Sequence, residues 1–162
     1  MKELIFCVAI FLFACQQGEI KNTPKTNVES KVVELTFDSI KAINYGADEY
    51  GMKKYVMAFL KKGPNRDLDS ASAYELQAAH LANIGKMAEA GKLVLAGPFF
   101  GNGDLRGIYI FDVTSIEEAK QLTETDPAIQ AGSLIMELQE WYGSAALMEV
   151  GDIHKTIAKT EI

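Results

Sequence analysis

Two side chains in this sequence have types and settings that suit proton transfer: His80, in AAHLANI, and Asp126, in TDPAIQAG. Stepping about 100° per residue along a helix puts Leu76, His80, Ile84 and Met87 within an apolar stripe of roughly 80°, so the imidazole points inward. Two readings stand for such a histidine. One is a core group whose ring is satisfied by a backbone carbonyl, as buried polar groups usually are; the other is a general acid or base. Asp126 also has two. An Asp at the N-cap followed by Pro127 at the first helical position is an ordinary helix start, and a carboxylate at that helix mouth can also accept a hydrogen bond from an imidazole. His154 sits in a polar stretch and has no comparable setting.

Other chemistries find less support in the sequence. No serine or cysteine lies in a nucleophile motif. Two histidines far apart fall short of a metal-ligand set, and the GNGD turn at Gly101 has neither the lysine nor the helix start of a phosphate cradle. Gly97, Pro98 and Phe99 end a strand where a pocket rim belongs, and Arg106 or Tyr142 could hold an anionic or phenolic ligand. The net charge of -6 and pI near 5.0 argue against nucleic acid as a partner, since nothing basic gathers beyond the pairs Lys53-Lys54 and Lys61-Lys62.

The elements that would position these groups follow from pattern. Asp38 caps a short helix that Gly46 stops. The run KYVMAFL, Lys54 to Leu60, has strand length and ends in the turn residues Gly63-Pro64-Asn65. Ser72 and Glu75 form a capping-box pattern for a helix running to about Ala90, closed by Gly91. Leu93–Ala96 and Gly107–Val113 read as the next strands, Ser115 and Glu118 open a second capped helix, and Ile135–Tyr142 is the last strand. The order β-α-β-β-α-β is that of an α+β ferredoxin-like fold, an antiparallel sheet with both helices on one face. Tyr55, Met57, Phe59, Tyr109 and Phe111 alternate so as to line the uncovered face. Two copies packed there would form a dimeric α+β barrel, and cover from residues after Ser144 would instead leave a monomer.

Ahead of this domain, MKELIFCVAIFLFAC has the pattern of an export signal. Its apolar run, Leu4 to Phe13, is too short to span a bilayer as a helix. Leu12-Phe13-Ala14-Cys15 looks like a bacterial lipobox, although Phe13 is bulky and Glu3 offsets Lys2. The chain's two cysteines are Cys7 and Cys15, and cleavage before Cys15 would leave that thiol as an acyl acceptor without a disulfide partner. The expected organisation is a signal peptide over 1–14, a lipidated Cys15 and polar tether over 15–37, the α+β domain over 38–150, and a polar tail over 151–162. Within the tether, Val32 to Phe37 could alternatively pair as a strand. The protein is thus expected to be exported and lipid-anchored to the bacterial cell envelope, on the periplasmic or outer-membrane face.

KKYVMAFLKKGPN, AAHLANIGKMAEAGKLVLAGPF, GIYIFDV, EEAKQLTETDPAIQAG and WYG follow one another in an order that resembles the YciI-like (YCII-related) family. The resemblance runs from about Lys53 to Met148, and GADEYGM is similar to longer members. It implies a dimeric ferredoxin-like barrel in which His80 and Asp126 form a pair, and enzymatic relatives that include dehydrochlorinases acting on chlorinated aromatics. The lipobox departs from the family's cytosolic members. Three function classes follow: a cofactor-free acid/base enzyme of lyase or isomerase type using His80 and Asp126; a non-catalytic small-molecule-binding or stress-response lipoprotein; and haem or oxidative chemistry with His80 as an axial ligand.

Overall fold

The computed structural model describes residues 36–160. Residues 1–35 and 161–162, and with them the expected signal, Cys15 and nearly all of the tether, lie outside the described residues.

The first element is a short helix, α1 (Ser39–Tyr45), whose N-cap Asp38 accepts from the Lys41 amide and whose C-cap Gly46 takes a φ of 67°. Strand β1 (Met52–Lys62) follows, then helix α2 (Ser70–Glu89), strands β2 (Leu93–Pro98) and β3 (Leu105–Phe111), helix α3 (Ile116–Thr123), the single-turn helix α4 (Pro127–Gln130) and strand β4 (Leu134–Ser144). A 3-10 turn over Ala145–Glu149 leads into helix α5 (Val150–Ile157). The sheet is fully antiparallel in the order β2-β3-β1-β4. The expected α+β, β-α-β-β-α-β fold is therefore observed.

Strand β1 takes a central place because both of its faces are apolar from Tyr55 to Leu60. Val56, Ala58 and Leu60 point to the helices, opposite Phe111, Tyr109 and Gly107 of β3 and Glu140, Leu138 and Met136 of β4. Met87 of α2 and Ala119 of α3 close over that face, joined by Ile84 and Leu122. Burying each large apolar side chain here is worth about 1.5–3 kcal/mol, so this layer holds the helices down.

The register corrects one expectation. Tyr109 and Phe111 belong to the helix-covered core; Met57 and Phe59 on the open face instead stand opposite Ile110 and Ile108. Tyr55 remains on that open face but is fully buried, its hydroxyl donating to the Ser144 carbonyl at 3.0 Å and its ring 5.9 Å from that of Trp141.

Two further expectations are corrected. The cap of α2 is Asp69, whose carboxylate accepts from the amides of Ala71 and Ser72, so the Ser72–Glu75 capping box does not form. An Asp three residues earlier captures the same orphan amides and starts the helix sooner. At the other end, the segment read as a frayed polar tail from Gly151 continues α5 as far as Ile157, exposed along its length and carrying Ile153 and Ile157.

Candidate functional site

His80 and Met87 are the buried residues of α2. Asp126, wholly buried, is the N-cap of α4. Pro127 has no N–H to satisfy, so the carboxylate serves the next amide: Oδ1 accepts from Ala128 at 2.9 Å. Both oxygens also reach His80 Nδ1, at 3.0 Å and 2.8 Å. A buried charge of this kind is tolerable only when paired and hydrogen-bonded, and among the described residues no buried side-chain polar atom lacks a partner. The turn before Asp126 is tied to α2 by Thr125, whose hydroxyl lies 3.2 Å from Asn83 Oδ1 and 2.7 Å from the Leu122 carbonyl. That tie sets the carboxylate opposite the imidazole.

The other ring nitrogen faces away from the carboxylate. His80 Nε2 is 3.4 Å from the Tyr109 hydroxyl, long for a hydrogen bond, with the two rings stacked at 6.4 Å. Phe111 meets the Tyr109 ring edge-on at 5.7 Å and holds it in place. Burial, and then the negative charge of Asp126, push the Tyr109 phenol far above its ordinary value. Tyr109 is consequently a neutral O–H donor at any physiological pH.

His80 and Tyr109 open onto a cavity of about 530 Å³ between α2 and the sheet, within the usual range for a small-molecule site. Leu60, Leu68, Leu76, Leu81, Ile84 and Leu134 make its walls apolar, and Gln77, Ser133, Arg66 and Arg106 supply polar edges. The rim at one side is held by close backbone packing. The Gly63 amide donates to Ser133 at 2.9 Å, the Asn65 amide donates to Gly132 at 3.0 Å, and Arg66 Nη1 donates to the Ser133 carbonyl at 3.1 Å. A Cβ on Gly63 would sit 2.1 Å from the Gly132 carbonyl oxygen, so only glycine permits this crossing.

Of the residues singled out from sequence, the fold brings His80 and Asp126 together, and Gly97, Pro98 and Arg106 line the cavity they face. Phe99 and Tyr142 do not line it: Phe99 lies beyond the end of β2 and is 44% exposed, and the Tyr142 hydroxyl donates to the Asp48 carboxylate. Phe99 falls past the last residue whose side chain the cavity reaches, and Tyr142 lies on β4 at the opposite end from Leu134. Sequence reasoning missed Tyr109 and Arg66. Tyr109 stands on the sheet face opposite to the one its alternation predicts, and Arg66 carries one sequence signal, that it is one of only two arginines in the chain.

The model of the YCII-related domain matches residues 54–142, more than half of the chain. The chain belongs to that family. The matched YCII-related segment contains β1 to β4 almost entirely, with His80, Tyr109 and Asp126 inside it. Among solved structures the chain is similar to a 5-chloro-2-hydroxyhydroquinone dehydrochlorinase from Burkholderia phenoliruptrix in complex with 2,5-dihydroxybenzoquinone. Identity is 24% over 53% of this chain and 92% of that one, with a TM-score of 0.41. No curated protein matches.

Proposed function

We propose that this YCII-related domain is a cofactor-free general acid/base enzyme, of lyase or isomerase type, acting on a small organic molecule bound in the cavity beside α2. The observation that carries this reading is the placement of one imidazole between a buried carboxylate and an apolar cavity. With Nδ1–H donating to Asp126, Nε2 is the basic nitrogen and it faces the cavity. It takes a proton from an activated substrate carbon, and Asp126 stabilises the ring charge that results. The neutral Tyr109 hydroxyl donates to the substrate oxygen that gains negative charge. Return of the proton to a different atom isomerises the substrate; departure of a leaving group from the adjacent carbon makes the step an elimination.

The test starts from mass spectrometry of small molecules retained by the purified protein, followed by incubation of the compound with the protein in D2O. Exchange of one substrate C–H for deuterium is expected. Retention without any exchange or turnover would leave a binding protein in which His80 and Asp126 only shape the pocket.

The cellular setting is part of the proposal. The domain over 38–150 is carried behind a signal over 1–14 and a lipidated Cys15 with its tether, residues 15–37, on the envelope of a bacterial cell, with 151–162 as a polar C-terminal segment. It works as a homodimer that covers the open sheet face. Support for the dimer comes from Met57, Phe59, Ile108 and Trp141, which are only half-buried on that face. Support for the anchor comes from Leu12-Phe13-Ala14-Cys15.

A further inference from the structure

The chain has two arginines against fourteen lysines, and both arginines line the cavity that His80 faces. It also has 22 acidic residues, and among the described residues none that lines the cavity is acidic. In a protein of net charge -6, a site lined by two arginines and, among the described residues, no carboxylate carries charge opposite in sign to the chain as a whole. Asp126 does not undo it, because it stands behind His80 and is engaged by that ring and the Ala128 amide.

The arginines also differ from the lysines in what holds them. Lys41, Lys53, Lys54, Lys61 and Lys92 each pair with a carboxylate. Among the described residues neither arginine makes an ion pair. Each is anchored through Nη1 to backbone oxygen: Arg66 to Ser133 at 3.1 Å, Arg106 to Gly101 at 2.8 Å. A guanidinium carries five N–H donors in a fixed fork, so a single anchored nitrogen orients the plane and leaves the remaining donors for a planar anion. Arg66 is exposed and Arg106 half-buried, so both stand where the apolar walls meet solvent.

From this we infer that the substrate is an organic carboxylate: Arg66 and Arg106 hold its anionic group at the cavity's polar edge, and the leucine walls hold an aromatic or alicyclic body. Its reacting carbon then meets His80 Nε2 and the Tyr109 hydroxyl. The inference rests on reading the cavity as a substrate site, but it concerns binding alone and is tested without turnover.

The probes are three pairs of aryl carboxylates and their neutral amides: benzoate and benzamide, salicylate and salicylamide, phenylacetate and phenylacetamide. Each is titrated into the full-length chain and followed by NMR or calorimetry. In at least one pair the carboxylate is expected to bind tenfold or more tighter than its amide. Arg66→Gln and Arg106→Gln should each erase that preference, with amide affinity falling far less than carboxylate affinity and melting temperature close to that of the unmodified chain; Arg66→Lys and Arg106→Lys should restore part of it. Equal binding of acid and amide in all three pairs, or binding of neither, overturns the inference, as does a preference that survives both glutamine substitutions. Failure of the acid/base reading looks different: the carboxylate preference persists, and His80→Asn changes no rate.

Discussion

At the scale of single residues, the chemistry turns on which groups stay neutral inside the fold. The phenol of Tyr55 is pushed up to about 12, chiefly by burial and secondarily by Asp112, and that of Tyr109 goes higher still for the reasons of burial and the nearby carboxylate. An unfolded tyrosine ionises near pH 10. Above that pH the unfolded chain binds fewer protons at these two positions than the folded one, so stability contributed by their neutral forms is complete below about pH 10 and falls as pH rises towards 12 and beyond. Denaturant unfolding at a series of alkaline pH values should show the decline beginning near pH 10. A phenolate absorbance titration should show Tyr109→Phe removing the latest step. Constant stability from pH 9 to 12 would count against the burial of both rings as functional donors or structural anchors.

At the scale of elements, Asp126 joins the start of α4 to the middle of α2, and its two duties can be separated. Asparagine keeps an oxygen for the Ala128 amide and for His80 Nδ1–H, whereas alanine removes the cap and strands a buried ring nitrogen. Asp126→Ala should cost about 2–4 kcal/mol, combining a lost cap with an unsatisfied buried donor, and Asp126→Asn should cost clearly less in the same urea unfolding measurement. Equal losses would mean that charge, and not hydrogen bonding, holds the two helices in place. How far these elements were legible in the sequence depends on whether the deciding signal is local. Caps at Asp38 and Ser115, the stop at Gly46 and the Asp126-Pro127 start are chain-local, and they stand in the structure as read. The start of α2 was misplaced because Asp69, Ser70 and Ser72 are all competent caps within one turn. The face of β3 differs from the expectation because GIYIFDV is apolar at every position from Ile108 to Phe111. Parity is therefore set by pairing with β1, which no local pattern records. Asp126 was legible as a cap; that it also reaches His80, 46 positions away, is a property of the assembled fold, reached in sequence only through the resemblance to YciI-like proteins.

At the scale of the whole molecule, the proposed dimer and anchor set where the cavity works. On the open face Met57, Phe59, Ile108 and Trp141 are only half-buried and Ile135 is 48% exposed, beside the polar Gln139 and Glu137 of β4, and apolar surface of this kind is what partners usually cover. Light scattering at micromolar concentration should give the mass of two chains, and a one-chain mass would mean that cover from residues after Ser144 suffices. For the anchor, labelling with a palmitate analogue should mark the protein and be abolished by Cys15→Ala; a soluble, unlabelled protein with another N-terminus contradicts it. Neither result bears on the proposed chemistry, in which His80 exchanges a proton with a molecule in the cavity. That exchange is read from the rate of proton exchange or turnover on the retained compound in His80→Asn, compared with the unmodified chain at matched melting temperature. Asparagine roughly fills the imidazole's space and cannot relay a proton, so a loss of about a hundredfold or more is expected. An undiminished rate in a folded His80→Asn protein would contradict the proposed chemistry.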